Sequence, residues 1–446
     1  MPLPIPVWYR SPLTQVVLVG FTCFCTTGMF SAVSNLGAGG TEDVALSDIA
    51  NGVLYGCFAA MGIFAGGVTN LLGIRPTIFL GSLGYALYIG SLWCFQTQGT
   101  RWFVVFAGAL LGISAALLWS AQGAIMMSYP LEKDKGKAFV IALAINIRHG
   151  GLSSVSTGTY LAFVIIMFAG TGSTMLLLPP ASIIRADGSL VKVQSASSPR
   201  EEIRSLLEVF KDWRMLALTP MFFVSNYSYA YQGAVNTFYF DGPTRAVNAT
   251  LEGSGAIVGA LFIGFAILDA PRIKRRTRGW LGLAFVSVCV ITVWSCALAW
   301  QLKFTRATDI DKMSYRDHAY APKGTLYFFF YVSDAAYQAL AYWIMGAITN
   351  DPFKLARYAG FYKAIQSAGA AGSFGMDAVA TPFLNELLAG WTIMLVSLPL
   401  AGVVIYHIHD TSYQDEETIF VDDVKIEADE RKPETVVEEK ELLPTV

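Results

Sequence analysis

Charge is what this sequence is short of. Asp, Glu, Lys and Arg make up 14% of its 446 residues, where a soluble domain carries roughly 25%. Metal and disulfide chemistry is missing as well. The six cysteines (Cys23, Cys25, Cys57, Cys94, Cys289, Cys296) all fall inside apolar stretches, where free Cys acts as a small hydrophobe. The four histidines sit at segment ends or in loops and make no ligand set with them. No nucleophile–base pair and no cofactor loop is visible. The expectation is therefore a chain that is not an enzyme and has no metal, no cofactor and no nucleic-acid partner. The first apolar run lacks a small-residue cleavage pattern and reads as a span, not a signal peptide.

What is present is a series of apolar segments, near 13–35, 49–72, 77–96, 102–127, 138–147, 159–179, 215–238, 253–270, 280–302, 324–348, 358–382 and 384–407. A hydrocarbon core needs ~20 apolar helical residues to cross it, and backbone groups in lipid must pair within their own segment. The reading is an all-α polytopic membrane protein arranged as six plus six, in contact with a lipid bilayer. Residues 1–179 would form an N-terminal bundle, 180–213 a central cytoplasmic loop and 214–409 a C-terminal bundle. Residues 410–446 would form a disordered acidic tail with 13 Asp/Glu against 4 Lys/Arg. In the central loop, Ser198-Pro199-Arg200-Glu201 resembles a helix N-cap, so a short amphipathic surface helix is expected there. Glu438-Glu-Lys-Glu-Leu442-Leu443 resembles an acidic dileucine address, but so short a motif reads first as plain solvated acidic tail.

With both termini inside, 23 Lys/Arg fall in inner segments and 8 in outer ones, the bias that sets orientation. The sequon Asn248-Ala-Thr250 then falls in an outer loop open to glycosylation, whereas Asn226-Tyr-Ser228 lies in a span. One segment does not fit. Ala138–Asn146 is nine apolar residues, ~14 Å of helix, and lengthening it would bury Arg148. The fifth helix is therefore read as short or truncated.

The loop after the second span reads Gly66-Gly-Val-Thr-Asn70-Leu-Leu-Gly73-Ile-Arg75, which resembles a worn copy of the major facilitator inner-loop motif with Asn70 in place of Asp, and reads equally as a generic short cytoplasmic turn. Asp269, Arg272 and Arg275 hold the corresponding loop of the second half, as an internal repeat would. The seventh span crowds Asn226, Tyr229, Gln232 and Asn236 onto a broad helical face, either the wall of a central cavity or interhelical hydrogen-bond glue. The tenth span carries Asp334, the one acid placed near mid-membrane, with Tyr337 and Gln338 grouped beside it at i+3 and i+4. Lys363 of the next span is its candidate partner, so Asp334 reads as a proton or cation site or as half of a structural pair. Small residues from Ser367 to Gly375 mark that span as tightly packed.

These residues are similar to the Unc-ninety-three-like branch of the major facilitator superfamily, in its fungal type. The resemblance is carried by Met221–Leu251, by Leu268-Asp269 with its following basic run, and most specifically by Ser333–Ala371. It implies a major facilitator fold of two six-helix bundles. The family continues after Gly136-Lys137-Ala138 with a full glycine-rich apolar helix, which here is cut between Ile145 and Leu152. The first expectation is secondary transport of an unidentified small solute, with Asp334 as the candidate coupling site. The other implication of the resemblance is a non-transporting regulatory subunit or trafficking chaperone of another membrane protein. Both place the chain as a multi-pass integral protein of a plasma, vacuolar or endosomal membrane.

Overall fold

The protein is described by a computed structural model over residues 6–31, 44–130, 157–185 and 198–409. The short fifth segment at 138–147 and the acidic tail lie outside the described residues. Helix α1 (Pro12–Cys23) starts at Ser11, whose hydroxyl accepts from Thr14 N–H, and runs on through a π-turn to Ser31. Then come α2 (Val44–Leu72), α3 (Ile74–Gln98), α4 (Arg101–Ser128) and α5 (Thr157–Ser173). The expected amphipathic helix forms as α6 (Pro199–Val209). Its capping box is complete, with Ser198 Oγ accepting from Glu201 N–H and the Glu201 carboxylate accepting from Ser198 N–H.

The second half comprises α7 (Trp213–Val224), α8 (Ser228–Tyr239), α9 (Gly242–Leu261, continued as a π-helix through Phe262–Leu268) and α10 (Arg275–Gln301). It ends with α11 (Ala321–Ile348), α12 (Pro352–Ala378) and α13 (Phe383–Tyr406). Seven helices among the described residues are long and apolar enough to cross a membrane: α1 to its end at Ser31, α2, α3, α4, α9 with its π-helical end, α10 and α13. Helices α11 and α12, 28 and 27 residues long, have the length but carry polar side chains along it.

Two boundaries differ from the sequence reading in ways that matter. The eighth span starts at Gly242 rather than near 253, because Asp241 caps it (Thr244 N–H to Oδ1, 2.8 Å). Arg245, Asn248 and Glu252 are thereby carried into the helix. The seventh span is not continuous. It breaks at Ser225-Asn226-Tyr227 into α7 and α8, each of twelve residues.

Helices α1–α5 pack on one another, and α7–α13 form a second group. The two meet where α2 and α4 cross α12. That crossing depends on glycine. A Cβ on Gly66 would stand 2.5 Å from Ala356 O, one on Gly62 2.9 Å from Ala364 Cα, and one on Gly360 2.8 Å from Gly62 O. Backbones approach this closely only where side chains are absent. A buried clasp seals the same end. Glu202 of α6 takes a two-pronged contact from Arg357 (both 3.0 Å) and a bond from Asn70 Nδ2 at 3.2 Å. Beside it, Asp212 caps α7 and binds Arg214 and Tyr358. Burial opposes its charge, but the bonds from Arg214 and Tyr358 outweigh burial and hold this carboxyl below its ordinary range.

Gly66→Val should force α2 off α12 at a cost of about 1–3 kcal/mol. In a cysteine-free background, Ser120→Cys, fully buried beside this crossing, should then react with a thiol reagent at least tenfold faster. An unchanged rate would show that the glycine contact does not hold the halves together.

Candidate functional site

The break between α7 and α8 has a local cause. Pro220 removes one helical N–H, and Ser225 turns its hydroxyl back on Phe222 O (2.8 Å). Tyr227 N–H falls back to Val224 O at 3.0 Å. Backbone groups freed inside apolar surroundings must find partners, and Ser373 of α12 donates to Tyr227 O.

At this break a polar chain begins. The Tyr229 hydroxyl donates to Asp334 Oδ2 at 2.8 Å. Gln338, one turn along α11, donates to the same oxygen at 3.0 Å and also faces the Tyr229 oxygen (3.1 Å) and Asn226 Oδ1 (3.4 Å). Its own Oε1 accepts from Gln366 Nε2 at 3.3 Å, and Gln366 Oε1 accepts from Lys363 Nζ at 2.7 Å. Gln366 Nε2 also faces Ser225 Oγ (2.9 Å) and Tyr362 (3.0 Å). A carboxamide has two N–H groups, so both glutamines are offered more acceptors than they can serve. The chain can therefore shift among partners without leaving a donor unpaired.

Asp334 and Lys363 are thus joined through two amides rather than by contact. Among the described residues no cation lies within 4 Å of Asp334. The Lys363 ammonium is buried against aromatic faces, with ring centroids at 4.7 Å (Trp119), 5.1 Å (Tyr362) and 5.7 Å (Tyr342). Trp119 belongs to α4 of the first half and donates to Tyr85 at 3.0 Å. Lys363 therefore touches both halves. Both bonds to Asp334 land on Oδ2, and Oδ1 receives none among the described residues.

The structure brings together Asn226, Tyr229, Asp334, Gln338 and Lys363. It separates three others. Tyr337 does not lie with Asp334; its hydroxyl pairs with Ser397 of α13 at 2.6 Å. Asn236 lies two turns beyond Tyr229 and accepts from Asn248 Nδ2 at 2.8 Å. Gln232 is buried, its carbonyl accepts from Tyr327 (3.1 Å), and its Oε1 finds no partner among the described residues. The placing of Asn248 in a glycosylated loop is corrected too. Asn248 is a fully buried residue of α9. Its Nδ2, the atom a glycan would need, is held by Asn236, and its Oδ1 accepts from Tyr320 at 2.7 Å.

The inner-loop residues do structural work. Gly66 lies in the α2–α12 crossing, and Gly73 turns the chain at φ +86°. Asn70 also reaches Phe353 O (3.2 Å), and Arg75 reaches Leu177 O (2.8 Å). In the second half Arg275 is buried and donates to Gly346 O at the end of α11 (3.1 Å), the favourable place for a cation. Asp269 is also buried, and Arg272 is exposed.

Four site residues were not singled out from sequence. Gln366 stands at i+3 from Lys363 and could have been found by spacing. Tyr362 and Ser225 adjoin residues already chosen. Trp119 sits in the other half and gives no local signal. A second acid, Glu252, also lies within a span, beside Tyr331. Tyr331 stacks on Tyr229 with centroids 6.1 Å apart. The misplaced start of α9 had left Glu252 outside the membrane.

No protein-family model matches the chain. It is 37% identical over 422 residues to an UNC93-like protein of Schizosaccharomyces pombe, covering 89% of this chain and 83% of that protein. It is 36% identical over 417 residues to UNC93-like protein 1 of Arabidopsis thaliana, covering 89% and 91%. Among solved structures, it resembles the major facilitator superfamily transporter FucP in the outward conformation (TM-score 0.59, 12% identity, 89% of this chain and 99% of that one). The human organic anion transporter MFSD10 is similar at a TM-score of 0.57 and 12% identity, covering 90% and 100%.

Asn248→Ala should strand Asn236 and Tyr320 and lower stability by about 1–3 kcal/mol, read as a fall in the unfolding temperature of the detergent-solubilised protein. Glycosidase treatment of the wild type should leave the mass of the peptide bearing Asn248 unchanged. A glycan on Asn248 would contradict its burial.

Proposed function

The chain belongs to the UNC93-like family and has the major facilitator fold, and from that premise we propose that it is a secondary transporter of a small solute. It is a multi-pass membrane protein whose helices contact the lipid bilayer. In the proposed cycle the two helix groups rock about the site, with both termini and the Arg272–Arg278 run on the cytoplasmic side. Asp334 binds the solute or a coupling ion, while Asn226, Tyr229 and Gln338 fix its orientation. Lys363 acts through Gln366 and Gln338 as the counter-charge.

The observation that carries this reading is the division of labour on Asp334. One carboxylate oxygen is fixed by two donors and the other is left open. Asp334 is only part-buried, as are Asn226, Tyr229 and Gln338, so its open oxygen faces accessible space; packed inside dry protein, an unpaired acceptor would cost about 1–3 kcal/mol. Its place at a broken span supports the same reading, because discontinuous helices commonly form midplane sites. The alternative of a regulatory subunit or trafficking chaperone requires no open carboxylate.

Uptake into proteoliposomes across a panel of labelled small solutes, comparing wild type with Asp334→Asn, tests the proposal. Accumulation of one solute class by the wild type, reduced at least tenfold in the variant, is expected. Equal accumulation by both would remove Asp334 from the pathway. No uptake of any solute, with a second membrane protein retained through purification, would favour the subunit reading.

A further inference from the structure

We propose that the surface groove between α10 and α13 holds an acyl chain of an anionic phospholipid, whose phosphate sits on Arg276. The groove measures about 520 Å³, within the roughly 300–1,000 Å³ range of small-molecule sites. Trp280 and Leu283 line it from α10, and Pro399, Gly402, Val403 and Tyr406 from α13. Residue 402 has no side chain to narrow it. A Cβ there would already touch Leu283 and Trp280 at 3.3 Å. Ser287 also borders it but turns its hydroxyl onto Leu283 O (2.7 Å). The floor is therefore suited to hydrocarbon and offers little to water.

The mouth has the opposite chemistry. Arg276 stacks on the Tyr406 ring with its Cζ 5.3 Å from the centroid, and its Nε donates to Ile408 O at 3.3 Å. These contacts fix the guanidinium at the groove's end and leave both Nη groups without a protein partner among the described residues. A forked donor held in this way matches a phosphate. Exposed Arg272 and Lys274 lie just upstream and add positive charge, which favours a headgroup of net negative charge over a zwitterionic one that carries the same phosphate. Trp280 and Tyr406, 43% and 60% exposed, are amphipathic rings suited to the headgroup level. An apolar slot on the lipid-facing side, closed at one end by a guanidinium whose Nη groups have no partner among the described residues, fits a two-part ligand of the surrounding leaflet. In the orientation proposed above that is the cytoplasmic leaflet, where anionic lipids concentrate. The groove is separate from the Asp334 network, so this inference does not depend on transport.

Native mass spectrometry of the full-length protein in detergent tests it, with phosphatidylserine and phosphatidylcholine of matched chains as probes. The wild type should retain one phosphatidylserine with at least a tenfold preference over phosphatidylcholine. Arg276→Gln, an exposed change, should abolish the preference. Gly402→Leu should lose both lipids. Val403→Trp, which fills the slot from its exposed wall, should do the same and guards against a packing defect in the glycine variant. Equal retention of the two lipids by the wild type would overturn the proposal. So would phosphatidylserine binding unaltered by Arg276→Gln, or by Val403→Trp.

Discussion

Polar groups placed inside an oily helix bundle have little water to turn to and must largely satisfy one another. This requirement holds α8, α11 and α12 in register. Asp334 is surrounded by neutral donors, Lys363 by aromatic faces, and two glutamines connect them. A direct ion pair would draw the helices into one fixed geometry. A line of amides tolerates exchange of partners, because each carboxamide faces more acceptors than it has protons. The price of burying so many polar groups is offset only while the line stays unbroken.

Helix α12 ties this line to the contact between the halves. Gly360 touches α2, Lys363 faces Trp119 of α4, and Gln366 binds Gln338 of α11. These residues recur every three positions, so they lie along one side of the helix. A shift of α12 against α2 must therefore change how Lys363 meets Trp119 and how Gln366 meets Gln338. Contact and site thus share one helix, which is the coupling that the proposed alternating access would need. The Glu202 clasp adds α6 to this arrangement by binding Asn70 on one side and Arg357 on the other.

Much of this was legible in the sequence. Apolar run length gave the membrane class and most spans, because hydrocarbon thickness leaves little freedom. Asp334, Gln338 and Asn226 stood out because amides and acids are rare in such runs, and Tyr229 because it shares a helical face with Asn226. The errors have physical causes too. Arg245 and Glu252 interrupt the apolar pattern at the start of α9, so hydropathy put the helix start too late and made Asn248 a loop residue. Tyr337 has the right spacing from Asp334, but its long phenol reaches Ser397 instead. Asn236 shares a helical face with Tyr229 yet lies at another depth, which spacing along one helix does not reveal. Trp119 was invisible because its partner is more than two hundred residues away in sequence. The resemblance of Ser333–Ala371 to the Unc-ninety-three-like branch pointed to the family that the relatives then showed.

Whether Asp334 and Lys363 act as one unit is the central question, and a double-mutant cycle on unfolding stability in detergent answers it most directly. Asp334→Asn and Lys363→Met would be compared singly and together. The expected result is that the double variant loses less than the two single losses combined, with a coupling of about 0.5–3 kcal/mol. Losses that simply add, within about 0.3–0.5 kcal/mol, would mean that the two charges do not sense each other through Gln338 and Gln366.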